Sequence, residues 1–180
     1  DTDDNLLVGS EDTYVFIRNL LQSASKPFKS NRVHIGMDEA WTLGLGEFIK
    51  RNGFRSSSSL VKEHFSRVKE ICDELNLEVM MWADMFFRSS SEKNDYYDPS
   101  VVFTEELKES VPKDIGLVYW DYYSTDYKFY DAMIKKHLEL SDKVIFAGGI
   151  WTWGRMNVNY TLTFNVTLAG LEECVCNNVK

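Results

Sequence analysis

The densest chemistry in this chain lies where an apolar run stops on two adjacent carboxylates: VHIGMDEAW, residues 33–41, which carries Asp38 and Glu39. Two neighbouring acids can divide proton transfer from charge stabilisation. They serve one substrate only where the backbone turns, because successive side chains of an extended strand point to opposite faces. Three more apolar runs stop in a similar way: MMWAD on Trp82 and Asp84, VYWDYY on Trp120, Asp121, Tyr122 and Tyr123, and GGIWTW on Trp151 and Trp153. Along each strand, Trp82 is expected to share a face with Asp84, Trp120 with Tyr122, and Trp151 with Trp153. Tryptophans that fill the core and acids that cap helices would explain any one of these ends; four in register favour a site. Aromatic walls with a few carboxylates suit a sugar, whose C–H faces lie on indole rings while acids bind its hydroxyls. The lack of basic residues near these ends argues against a phosphorylated substrate.

The elements that must position these residues follow from periodicity. Residues 11–25 place Tyr14, Ile17, Leu20 and Leu21 at helical spacing behind Ser10 and Glu11, and Pro27 ends the helix before VHIGM. A helical GLGEFIKRNG and then SLVKEHFSRVKEICDELN, with Leu60, Val61, Phe65, Val68, Ile71 and Leu75 on one face, lead into the strand LEVMMWADMFF. VVFTEELKESV precedes the strand IGLVYWDYY, TDYKFYDAMIKKHLELS precedes KVIFAGGIWTW, and NYTLTFNVTLAGLEECVCNN reads as a last helix that stops at Asn177 and Asn178. Four strands thus alternate with five helical stretches, the second of them in two pieces. The fold class is α/β with a parallel sheet covered by helices. An open doubly wound sheet and a (β/α)8 barrel both satisfy that pattern. No glycine-rich phosphate loop follows any strand, so no nucleotide cofactor is expected and the barrel is favoured. Barrel active sites collect at the C-terminal ends of the strands, where all the residues named above fall.

Composition limits the partners. The 180 residues, 44% apolar, are expected to form a single domain over 1–180, and a net charge of −8 argues against nucleic acid or an anionic membrane. Cys72, Cys174 and Cys176 are odd in number, with two of them one residue apart, which suggests neither a disulfide framework nor a zinc site. With no leader or membrane span legible in the sequence, a reducing, cytoplasmic location is expected. Asp1, Asp3 and Asn5 have the spacing of a calcium loop, but Leu6 and Asp12 stand where that loop needs glycine and glutamate. No metal is expected. The sequons at Asn159 and Asn165 are read as chance matches.

VHIGMDEAWTLGLG, with its H-x-G-x-D-E core, resembles the catalytic motif of glycoside hydrolase family 20, the β-N-acetylhexosaminidases, and in particular their bacterial N-acetylglucosaminidase branch. MMWADMFF, VYWDYY and GGIWTW follow in the order of that family's next three barrel strands, and Met37 stands where many members have a second glycine, as in that branch. The resemblance implies retaining hydrolysis assisted by the substrate's own 2-acetamido group, whose oxygen attacks the anomeric carbon. Glu39 would be general acid and then base, Asp38 would hold the acetamido N–H, and Tyr122, or alternatively Tyr123, would hydrogen-bond the acetamido oxygen. Trp82, with Trp151 or Trp153, would wall the sugar, and Asp84 would support the acetamido or tyrosine end of the pocket. Trp120 and Asp121 would belong to the same substrate site, and His34 would be a buried, hydrogen-bonded part of the motif. The implied partner is a glycan ending in N-acetylglucosamine or N-acetylgalactosamine. The chain would supply strands four to seven of a (β/α)8 barrel, a partial catalytic domain expected to be inactive in isolation and to pair with itself through its exposed edges. A non-catalytic glycan-binding or self-associating half-barrel is the alternative.

Overall fold

The computed structural model describes residues 5–154 and 156–179; Asp1 and Asp3 of the rejected calcium loop lie outside them. Helix α3, Ser57–Glu74, shows how the sequence dictates an element: the Ser56 side chain accepts the Ser59 N–H, and Leu60, Val61, Phe65, Val68 and Ile71 fall on one buried face. Burying each such side chain contributes about 1.5–3 kcal/mol. Helix α1, Glu11–Ser25, buries Tyr14, Ile17 and Leu21, whereas Leu20, which periodicity placed on the same face, is exposed.

The remaining elements are β1 (Arg32–His34), α2 (Glu47–Asn52), β2 (Glu78–Trp82), α4 (Asp84–Ser90), α5 (Glu105–Ser110), β3 (Gly116–Trp120), α6 (Tyr127–Leu140), β4 (Lys143–Ala147) and α7 (Tyr160–Cys176). The strands are all parallel and lie side by side in chain order, β1-β2-β3-β4. A doubly wound sheet would reverse its order at a switch point. Sequential parallel order with right-handed crossovers puts the helices on one side of the sheet, which is the arrangement of consecutive units of a (β/α)8 barrel. On the helix side, Val79 and Met81 of β2 and Leu117 and Tyr119 of β3 are buried in the main core. The alternate residues Met80, Trp82 and Trp120 face the other side and are only partly buried.

Two sequence expectations about these elements are corrected. Asp84, Met85, Phe86 and Phe87, read as the end of a strand, form the first turns of α4. All four are buried, so hydrophobicity alone could not tell strand from helix there. Strand β4 ends at Ala147, which leaves Trp151 and Trp153 on the loop beyond it. No helix among the described residues is long and apolar enough to cross a membrane.

Candidate active site

The turn after β1 makes the two neighbouring acids usable together. Gly36, Met37 and Glu39 all have positive φ, at 73°, 72° and 46°. For Met37 and Glu39 such backbone costs about 1–2 kcal/mol each. The left-handed turns break strand alternation, and Asp38 and Glu39 both line one cavity. Hydrogen bonds hold this turn: Trp82 N–H donates to the Gly36 carbonyl at 3.1 Å, Trp41 N–H to the Glu39 carbonyl at 2.7 Å, and Glu39 N–H to Asp84 Oδ2 at 2.9 Å.

Asp84 therefore acts from beneath the turn. It is buried, it does not line the cavity, and its Oδ1 has no hydrogen-bond partner. Burial pushes its carboxyl up to about 6, with the Asp38 charge adding to the rise, while the Glu39 N–H and the Trp120 indole favour the ionised form. His34, expected to be buried, is only partly so and packs nearby without lining the cavity. Its Nδ1 accepts the Gly36 N–H at 3.1 Å, its ring lies 4.5 Å from that of Trp82, and its buried Nε2 is unpartnered. Burial holds this imidazole below its usual pKa, and the Asp38 charge works in the opposite sense.

The cavity has a volume of about 480 Å³ and is walled by Trp82, Trp120, Tyr122, Tyr123 and Trp153, with Ala147, Gly148 and Gly149 beside them. That is the size range of small-molecule sites. The Tyr122 ring packs 5.5 Å from Trp120, 4.7 Å from Tyr123 and 4.9 Å from Trp153. Burial, followed by the neighbouring Tyr123, raises the Tyr122 phenol to about 12, so it stays a neutral donor at working pH. Gly149 keeps this end open, since a Cβ there would lie 2.7 Å from both Trp153 and Tyr122.

Trp151 and Asp121, both expected at the substrate, are placed elsewhere. Trp151 stacks behind Trp153 at 5.1 Å and donates its indole N–H to the Tyr122 carbonyl at 2.7 Å, so it positions a wall residue. Asp121, next to an inward Trp120, points the other way: it is buried and accepts from the hydroxyls of Tyr119 at 2.8 Å and Tyr130 at 3.4 Å and from the Tyr123 N–H at 2.9 Å. Strand alternation carried the signal for that, since odd and even positions cannot both face the cavity.

Other neighbours of the site went unread in the sequence. Arg88 on α4 lies 4.1 Å over the ring of Trp41 and donates to the Ala40 carbonyl at 3.5 Å, which brings a cation to a region expected to hold none. Tyr96 and Tyr97, on the loop after α4, pack 5.9 and 5.4 Å from Trp120, and the Tyr97 hydroxyl donates to the Trp120 carbonyl at 3.2 Å. Helix α4 turns Arg88 back toward the β1 loop, a long-range contact that no local pattern announces. Among the described residues, no group of three or more His, Cys, Asp or Glu side chains could hold a metal.

No protein of curated function matches this chain. Among solved structures it is similar to the GH20 β-N-acetylhexosaminidase from Streptomyces coelicolor A3(2), with 15% sequence identity and a TM-score of 0.48 over 80% of this chain and 22% of that one. The catalytic-domain model of glycosyl hydrolase family 20 matches residues 1–142, a span that takes in the Asp38–Glu39 turn and the tyrosine pair after β3, and the chain belongs to that family.

Proposed function

We propose that this chain carries the sugar-cleaving cavity of a β-N-acetylhexosaminidase that removes terminal N-acetylglucosamine or N-acetylgalactosamine with retention, using the substrate's own acetamido group as nucleophile. The carrying observation is the left-handed turn that points Asp38 and Glu39 into one aromatic-walled cavity. The acetamido oxygen attacks the anomeric carbon as the glycosidic C–O bond breaks, and Glu39 gives its proton to the departing oxygen. A cyclic oxazoline-type intermediate results. Asp38 accepts a hydrogen bond from the acetamido N–H and offsets the positive charge that grows on the ring being closed. Tyr122, or Tyr123 beside it, donates to the acetamido oxygen and orients it for attack. Glu39, now a carboxylate, then takes a proton from water as that water adds to the anomeric carbon and reopens the ring. Trp82, Trp120 and Trp153 hold the sugar by its C–H faces and exclude water.

Two measurements test this reading. Titration with the cyclic thiazoline of N-acetylglucosamine, which mimics the closed intermediate, should quench indole fluorescence, and Asp38→Asn should weaken that binding about tenfold or more, the loss of one charge-assisted hydrogen bond. In a full-length parent that supplies the other barrel strands, Glu39→Gln should lower hydrolysis of an aryl β-N-acetylglucosaminide by a factor on the order of 10²–10⁴. Thiazoline that fails to bind, or turnover indifferent to Glu39→Gln, would overturn the proposal. Sugar binding without any product would identify a glycan-binding module instead.

A further inference from the structure

Resting on Glu39 as the proton donor, we propose that Trp41, backed by Arg88 and Tyr96, is the platform for the leaving group of the glycoside and takes a second pyranose ring by its apolar C–H face. The departing oxygen must lie at Glu39, so whatever is attached to it lies beyond that residue and outside the cavity that holds the first sugar. Trp41 is two residues further on, folded back by its N–H bond to the Glu39 carbonyl at 2.7 Å. It is not among the residues that line the cavity, and it is 54% exposed.

An exposed indole on a loop ordinarily has no fixed orientation. This one is held on two sides: the Arg88 guanidinium lies 4.1 Å from its centroid, and the Tyr96 ring is 5.1 Å away, inclined at 57°. Arg88 is tied to the same loop through the Ala40 carbonyl. Tyr96, itself buried, also packs on Trp120, so a run of rings joins the cavity wall to Trp41. A tryptophan serving only as packing would be enclosed as Tyr96 is. An indole with one face against a cation and half its surface open is instead ready to stack on a ligand, and an exposed aromatic surface held this rigidly binds at low entropic cost.

The test compares two probes in the Glu39→Gln background, where slowed hydrolysis lets binding be measured: the β-1,4-linked disaccharide of N-acetylglucosamine and methyl β-N-acetylglucosaminide, whose leaving group is too small to reach Trp41. The disaccharide should bind about tenfold more tightly, the size of one aromatic stacking contact. It should also move the Trp41 indole N–H resonance, assigned by its loss in Trp41→Phe, while the methyl glycoside leaves that resonance in place. Trp41→Ala should abolish the preference and keep methyl glycoside affinity within about twofold, and Trp41→Phe should retain most of it because a ring remains. Disaccharide bound with a silent Trp41 resonance, or both probes weakened equally by Trp41→Ala, would overturn this inference alone. If neither probe binds, the sugar-site reading fails and this inference falls with it.

Discussion

Asp84 and Asp121 sit just past the ends of adjacent strands, both are nearly sealed from solvent, and they are put to opposite uses. Asp121 accepts from two tyrosine hydroxyls and a backbone N–H, and it knits β3 to α6. Asp84 accepts the Glu39 N–H, keeps Oδ1 without a partner, and holds a turn whose backbone is strained. Burial raises both carboxyls above the ordinary aspartate range. The difference lies in satisfaction: a buried acid with its donors in place belongs to the wall, whereas one left partly unsatisfied beside a strained turn gives up stability to fix the geometry of a site.

The largest effect that would separate the two comes from Asp121→Ala. It leaves the buried Tyr119 and Tyr130 hydroxyls, and the part-buried Tyr123 N–H, without their acceptor. Loss of about 3–5 kcal/mol is expected, lowering the melting temperature by roughly 10 °C in a chain of this size. Asp84→Asn keeps an acceptor for the Glu39 N–H and removes a buried charge, so the fold should be as stable as the parent or more so at neutral pH. Calorimetry that found Asp121→Ala as mild as Asp84→Asn would erase the distinction.

A pH series sharpens the same contrast. The Asp84 carboxyl is raised from 3.8 to about 6, so the folded chain binds this proton more tightly than the unfolded chain does. Stability from this group is therefore highest below about pH 4 and falls as pH rises through 6, by as much as roughly 3 kcal/mol. Asp84→Asn has no such titration. The parent should match the variant near pH 4 and lose ground to it by pH 7, as read from urea unfolding at each pH. A gap that stayed constant with pH would mean that Asp84 is ionised without penalty.

How much of this the sequence disclosed depended on the distance over which each signal acts. The alternation of strands and helices, the α3 face and the acids that follow β1 are local patterns, and local patterns are legible. Asp38 and Glu39 stand out by type, and alternation calls for a turn if both are to face one cavity, but nothing local announces the positive φ of Met37, because only glycine signals such backbone. The motif alone puts Asp121 at the substrate, whereas its parity with Trp120, which the strand pleat makes decisive, turns it to the buried side. The apolar run KVIFAGGIWTW reads as one strand through Trp153, yet the strand ends at Ala147, where two glycines follow. Arg88, Trp41 and Tyr96 come together across about fifty residues of chain through one helix mistaken for strand, and no pattern within either segment records that contact.

The smallest effects probe satisfaction one hydroxyl at a time. Tyr119→Phe removes a donor to the buried Asp121 carboxylate at 2.8 Å and should cost about 1.5–3 kcal/mol, the range of a hydrogen bond to a charged group. Tyr96→Phe removes a hydroxyl that is enclosed yet unpartnered, while the ring contacts with Trp41 and Trp120 persist. Its effect should be under about 1 kcal/mol and, if anything, stabilising, because a buried polar group without a hydrogen bond is a standing desolvation cost. Disaccharide affinity should be unchanged by the same variant, since the leaving-group platform uses the ring and not the oxygen. Were Tyr96→Phe to weaken either property as much as Tyr119→Phe weakens the fold, the Tyr96 hydroxyl would have to be hydrogen-bonded in solution, and the contrast between a satisfied wall and an unsatisfied site would lose one of its two sides.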